Sequence, residues 1–230
     1  MVTLSVIVPF VNEEDYLEKS VQRLLDNNIY EEIILVDNNS TDESSNIAKK
    51  LEKNNTNISL YKTNEKKGKG VALSHSKKYI KSTHVVIHDA DLEYFPEDII
   101  EMFEECKNYP NSMILGSRFI GEKDRKNVYI RTIIANKVMS SFFSLIYLYK
   151  ITDIATCYKL MPSDFYKKTS LKEKGFSVEI EILSKFLKYS RSIKEVPIKY
   201  EGRSYEEGKK IKTSDGFKYL LNTIKYRFIK

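Results

Sequence analysis

At 230 residues, with 41% hydrophobic and 30% charged residues and a formal net charge of +6, the chain is long enough to bury one large core without staples. The moderate positive balance favours anionic partners without naming one. No stretch reaches the roughly 18 to 20 apolar residues of a spanning helix, and Val2 to Phe10 is strand-length and meets charge at once, which excludes a signal h-region and an integral membrane protein.

Leu4 to Pro9 reads as a buried strand stopped by Pro9. Asn12-Glu13-Glu14 opens an amphipathic helix with Tyr16, Leu17, Val21, Leu24 and Leu25 on its apolar face. A second strand, Glu32 to Val36, runs into Asp37-Asn38-Asn39-Ser40-Thr41-Asp42, where Ser40 or Thr41 is placed to cap a helix over 43–53. A short strand over 58–61, the basic loop Asn64 to Gly70 and a helix over 71–80 follow. The fourth strand, His84 to Ile87, ends in His88-Asp89-Ala90-Asp91-Leu92-Glu93.

This βαβαβαβ order predicts an α/β fold with a mostly parallel sheet and right-handed crossovers. The acidic or amide clusters at 12–14, 37–39 and 89–91 then converge on one sheet edge, where open α/β folds bind ligands. Side chains alternate along a strand, so Asp89 and Asp91 point the same way while strand geometry persists. Two adjacent like charges are costly unless a cation or a proton offsets them. Hard oxygen ligands beside a phosphate site suit Mg²⁺ or Mn²⁺. An Asp-rich turn capping the helix that begins near Pro96 explains the same residues without a metal.

Other features are less specific. Gly68-Lys69-Gly70 ahead of a helix offers a phosphate free backbone N–H groups, but lacks the P-loop and G-x-G-x-x-G spacings. His75, His84 and His88 share no ligand spacing. Cys106 and Cys157 lie far apart and read as the reduced thiols of a cytoplasmic protein. Thr132 to Tyr149 is too apolar for a one-faced surface helix, yet contains Asn136 and Lys137; burial against the sheet and an interfacial position both remain open. Glu179 and Glu181 on a helix are rotated by about 200° from each other, so one structural and one cleft-facing carboxylate are expected, with Glu181 in the cleft. The loop Arg203 to Lys210 has the composition of a mobile lid. Asp215 to Lys230 reads as a helix with Phe217, Leu220, Leu221 and Ile224 on one face and Lys218, Lys225, Arg227 and Lys230 around it. That helix either packs its apolar face on the domain or rests on an anionic membrane.

The blocks Ile-Val-Pro-Phe-Val-Asn-Glu-Glu, Glu-Ile-Ile-Leu-Val-Asp-Asn-Asn-Ser-Thr-Asp, Gly-Lys-Gly-Val-Ala-Leu, His-Asp-Ala-Asp-Leu-Glu and Leu-Gly-Ser-Arg stand in that order along the first 118 residues. Gly-Phe-Ser-Val-Glu-Ile-Glu and Glu-Val-Pro-Ile-Lys-Tyr-Glu-Gly-Arg come later. Together they resemble family-2 glycosyltransferases of the GT-A fold, in particular those that make polyprenyl-phosphate sugars; residues 217–230 match less clearly. The resemblance implies nucleotide contacts at Pro9, Val11 and Glu13, and a carboxylate near the base at Asp37, with Asn38 where a second Asp is frequent. It implies Asp89 and Asp91 as the metal pair, with Ala90 between them lining the donor site, and Glu93 where Gln is frequent. Arg118, Arg131, Arg203 and Lys209 match phosphate-holding basic positions, and Lys69 joins the donor set.

The resemblance therefore implies one domain, with residues 1–120 as the nucleotide-sugar half and 121–230 as a helical acceptor-side half. The expected activity is metal-dependent, inverting sugar transfer from a nucleoside diphosphate, with Mg²⁺ or Mn²⁺ as cofactor and Asp91 and Arg118 in the chemistry. A polyprenyl phosphate acceptor is already anionic and needs little base; a glycan hydroxyl needs a carboxylate, for which Asp153 and Glu181 are the candidates. No nucleic-acid partner is expected, and peripheral contact with the cytosolic face of an anionic membrane is. A nucleotidyltransferase would present a Gly-rich basic loop where Pro9 to Glu13 stands, and a non-catalytic anion-binding module leaves three acidic strand ends unexplained.

Overall fold

The structure is a computed structural model and describes residues 1–64, 68–127, 129–203 and 213–229. Strands β1 (Leu4–Phe10), β2 (Glu32–Asp37) and β4 (His84–Ile87) are buried at every residue, as strands covered on both faces must be. Alternation sorts their side chains. Val6, Val8, Ile33, Leu35 and Val86 face α1 (Leu17–Asn27), α2 (Ser44–Asn54) and α4 (Asp98–Asn108). Ile7, Ile34, Val36, Val85 and Ile87 face α3 (Lys69–Ser76), α5 (Ile130–Tyr147), α6 (Ser163–Lys168) and α7 (Val178–Tyr189).

With β3 (Ile58–Lys62), β5 (Met113–Ser117), β7 (Lys159–Pro162) and β8 (Ile193–Pro197), these form a seven-stranded sheet in the order β3-β2-β1-β4-β7-β5-β8. Only β7 runs antiparallel, against both β4 and β5. It thus joins residues beyond 120 to the middle of the sheet that the first half builds. A small parallel pair, β6 (Arg125–Lys126) with β9 (Tyr200–Glu201), sits beside the β4 end through a Tyr94–Tyr200 bridge.

Two local expectations are corrected. Pro9 does not stop β1, which continues to Phe10. Ile7 is bonded toward β4 and Phe10 toward β2, so the nitrogen of Pro9 faces the β4 side, where pairing already ends at Ile7–Ile87 and no donor is needed. Ser40 and Thr41 do not cap α2. Asp42 Oδ1 takes the N–H of Ser44, while Ser40 and Thr41 stitch the β1 and β2 ends together by accepting from Asn12 N and donating to Asn12 Oδ1.

The second half holds an inversion of the usual pattern. On α5 the buried stripe is Asn136, Ser140, Phe143 and Tyr147, while Ile130, Ile134, Val138 and Leu145 point outward. On α8 (Thr213–Phe228), which packs beside α5, Tyr219, Asn222, Thr223 and Tyr226 are buried, and Phe217, Leu221, Ile224 and Phe228 are exposed. Of the two readings of the tail helix, packing on the domain through its apolar face is not what is seen, since of that face only Leu220 is half-buried. No helix among the described residues is long and apolar enough to cross a membrane.

Candidate active site

Three strand ends turn sharply. Asn12 follows β1, Asn39 follows β2 and Leu92 follows the β4 segment, each with φ of 51°, 60° and 61° respectively. Asn tolerates this left-handed region; Leu does so at a cost of roughly 1–2 kcal/mol. The turn at Leu92 brings Asp91 and Glu93 to the same cation. Arg203 Nη2 lies 3.1 Å from Asp91 Oδ2, Nη1 3.4 Å from Glu13 Oε2, and Nε 3.7 Å from Glu93 Oε1. Tyr200 donates to Glu93 Oε2 at 2.6 Å, and the Arg203 N–H to Glu93 Oε1 at 3.0 Å. Asp89 takes Lys69 Nζ at 2.7 Å. Arg203, expected to open an exposed lid, is instead buried within this cluster. The rest of that loop, Lys209 included, lies outside the described residues, as do Lys66 and Lys67.

Among the described residues, four carboxylates, Glu13, Asp89, Asp91 and Glu93, thus meet two cations, Lys69 and Arg203. Burial, then Glu93 and Asp89, push the pKa of Asp91 up. Such a surplus of negative oxygen is what a divalent cation would relieve, so the donor set fits Mg²⁺ or Mn²⁺ bound by one or two carboxylates with substrate phosphates and water completing the shell. No three His, Cys, Asp or Glu side chains form a metal cage among the described residues.

Arg118 and Asp153 form a second unit. The guanidinium meets the carboxylate through Nε–Oδ2 at 2.7 Å and Nη2–Oδ1 at 2.8 Å, while the Arg118 N–H and Asn136 Nδ2 also donate to it. Asp153 is fully buried, and Arg118 lies over the ring of Tyr200 at 4.8 Å. The candidate phosphate holder and candidate base are therefore bound to each other. Glu181 is also fully buried, accepting from the N–H groups of Lys172 and Glu173 and pairing with Lys185 at 2.5 Å. Its neighbour Glu179 is the one that reaches toward the cluster, 2.7 Å from Lys69 Nζ. Both glutamates are buried, so the expected cleft-facing Glu181 is not seen, and Glu179 is the one that reaches Lys69.

The strand-end residues divide as well. Pro9 and Ala90 are buried and Val11 is half-buried at the β1 and β4 ends. Asp37 is buried and forms the Asx turn, accepting from Ser40 N at 2.8 Å and from Ser45 Oγ. Asn38 is buried too, donating to the Gly68 carbonyl at 2.6 Å and accepting from Thr63 Oγ1 at 2.9 Å. The glycines of Gly68-Lys69-Gly70 permit close approach of another loop. A Cβ on Gly70 would lie 1.8 Å from the Glu173 carbonyl oxygen, and the Gly70 N–H already donates to the Lys174 carbonyl. The Gly70 N–H is thus not free for a phosphate. Arg131 is exposed in the first turn of α5, over the Tyr129 ring. His88 is a core residue between Ser20 and Tyr158, its pKa pushed down to about 3 by burial, Arg23 and Lys69.

The bonding of Glu93 to Tyr200 and of Glu179 to Lys159 emerges only in the folded chain. The signal for Tyr200 was its place two residues after Ile198 in the block that ends at Arg203; nothing local marks Lys159.

The sheet order, with its carboxyl edge carrying the acidic cluster, is that of the GT-A fold. Glucosyl-3-phosphoglycerate synthase from Mycobacterium tuberculosis, solved with Mn²⁺, UDP and glucosyl-3-phosphoglycerate, shares the fold at a TM-score of 0.73 and 17% identity, covering 98% of this chain and 79% of that one. Residues 5–169 match glycosyl transferase family 2, and the chain belongs to that family of glycosyltransferases. It is 29% identical to a dolichol-phosphate mannosyltransferase of Pyrococcus furiosus, over 99% of this chain and 64% of that protein, so it spans under two thirds of that relative. It is 26% identical to the UDP-N-acetylglucosamine–dolichyl-phosphate N-acetylglucosaminyltransferase of Methanococcus voltae, over 95% of this chain and 93% of that protein.

Proposed function

We propose that this glycosyltransferase moves a sugar, with inversion, from a nucleoside diphosphate to the phosphate of a polyprenyl acceptor at a membrane surface. The observation that carries the acceptor class is the pair of outward apolar stripes on α5 and α8, with Arg131, Lys137, Lys218 and Lys225 on the same helices. Apolar residues buried in the interface and cations drawn to anionic headgroups are what hold an amphipathic helix on a bilayer. α5 is also wired to the site, since Asn136 donates to Asp153. The names of the two relatives that act on dolichyl phosphates agree with this reading.

Asp89 and Asp91 would hold the metal, which supplies neutralisation of the charge on the departing diphosphate. Arg203, resting on Asp91, is the cation at hand for the donor's phosphates, while Lys69 stands behind Asp89. Asp153 and Glu181 are both buried and bonded to cations, so neither stands ready to take a proton from a hydroxyl. An acceptor phosphate, already ionised, attacks the anomeric carbon without one.

The test is a thermal-shift panel of UDP-, GDP- and dTDP-sugars with and without Mn²⁺, followed by transfer assays with polyprenyl phosphate and with soluble glycans. Metal-dependent donor binding and transfer to polyprenyl phosphate are expected. Robust transfer to a soluble glycan, with none to polyprenyl phosphate, would overturn the acceptor.

A further inference from the structure

A line of alternating charge runs inward from the cleft. Asp89, 22% exposed, holds Lys69 Nζ at 2.7 Å; Lys69, 7% exposed, stands 2.7 Å from Glu179 Oε1. Glu179, 2% exposed, bonds Lys159 Nζ at 2.6 Å, and Lys159 is fully buried. The residues come from four elements: the β4 end, the first turn of α3, the first turn of α7, and β7. Lys69 stands at the start of α3, where the helix dipole disfavours a cation, and it is also withdrawn from water. Only carboxylate partners can keep it there.

Two lysines and two carboxylates make this line neutral as it stands, with Asp89 its one member facing the cleft. Any metal that takes the oxygens of Asp89 must compete with Lys69 for them. Glu179 then decides the outcome, because it is the other carboxylate within reach of the same ammonium.

We propose that Glu179 is a positioning residue that shares Lys69 with Asp89, and so sets how readily Asp89 gives its oxygens to a divalent cation. Lys69 is the resident counter-ion of the metal pair, and Glu179 is the partner it keeps when Asp89 is taken. This rests on the proposed metal role of Asp89 and Asp91, and gives Glu179 of α7 a part in it.

The test is Mn²⁺ binding to the nucleotide-free protein, read as loss of the free Mn²⁺ signal in electron paramagnetic resonance. Lys69→Met removes the competing charge and leaves the Lys159–Glu179 pair intact, so Mn²⁺ should bind about tenfold tighter, a plausible effect of deleting one unit charge beside a ligand. Lys69→Arg keeps the charge and should stay near wild type. Glu179→Gln confines Lys69 to Asp89, and should weaken Mn²⁺ binding about fivefold or more by the same reasoning. Should Glu179→Gln fail to fold, Glu179→Asp, which keeps a charge beside Lys159 but draws it back from Lys69, takes its place with the same direction of effect, and unchanged Mn²⁺ binding in a folded Glu179 variant would overturn the inference. If wild type binds Mn²⁺ and the two Lys69 variants match it, the inference is wrong while the metal site stands. If wild type binds no Mn²⁺ with or without UDP, the metal site itself is wrong and the inference goes with it.

Discussion

Arg203 Nη2 stands 3.1 Å from Asp91 Oδ2 while Nη1 of the same guanidinium is 3.4 Å from Glu13 Oε2. A residue at the far end of the last strand pair thereby neutralises acids from the β1 and β4 ends. Arg203→Ala would leave Glu13, Asp91 and Glu93 without their common cation. Breaking a buried ion pair from one side costs about 3–5 kcal/mol, so the melting temperature should fall. Saturating Mn²⁺ should recover part of that loss by mass action, and more in the variant than in wild type. An unchanged melting temperature in metal-free buffer would contradict this.

Asp91→Asn keeps the shape of the side chain and removes one charge from the pair. Transfer should fall by at least about a hundredfold, the scale seen when a principal stabiliser of transition-state charge is lost. Near-normal turnover in a folded variant would remove Asp91 from the metal site.

Burial alone would raise the pKa of Asp153, but the Arg118 guanidinium outweighs it and holds the carboxyl below the usual range. A folded value below the unfolded one makes the pair's contribution complete above the unfolded Asp value of about 3.9 and lost as pH falls through the folded value. Asp153→Asn should therefore be less stable than wild type by roughly 3 kcal/mol at neutral pH, with the gap closing in acid. Urea titrations at neutral and acid pH measure both. An Asn variant as stable as wild type at neutral pH, yet inactive, would restore Asp153 as a base.

The outward stripes of α5 and α8 predict binding to anionic liposomes that salt weakens, since cations supply part of the attraction. Leu145→Glu with Leu221→Glu should abolish co-sedimentation and change stability by no more than about 0.5 kcal/mol each, as exposed sites do. Equal binding by the double variant would move the membrane contact elsewhere.

Much of this was legible in the residues. The near-continuous apolar runs Leu4–Pro9 and Ile33–Val36, and the acid-bearing ends that follow them, mark the sheet edge in the residues alone. What stayed hidden depended on distant partners. The spacing of Glu179 and Glu181 puts them on different sides of α7, but which side meets Lys69 is decided by where α3 lies. Asp153 reads as a free carboxylate until Arg118, 35 residues earlier, is folded onto it. α5 misleads in another way: its core face is the more polar one, so hydrophobic pattern points to the wrong side.

The central claim is sugar transfer from a nucleoside diphosphate to a polyprenyl phosphate through the Asp89–Asp91 pair. Its most direct test is transfer of labelled sugar from UDP- and GDP-sugars to polyprenyl phosphate in liposomes, with Mn²⁺ or with EDTA. The account predicts a labelled lipid product with Mn²⁺, its loss with EDTA, and its near-absence with Asp91→Asn. Undiminished product formation in EDTA, or from the Asp91→Asn variant, would contradict it.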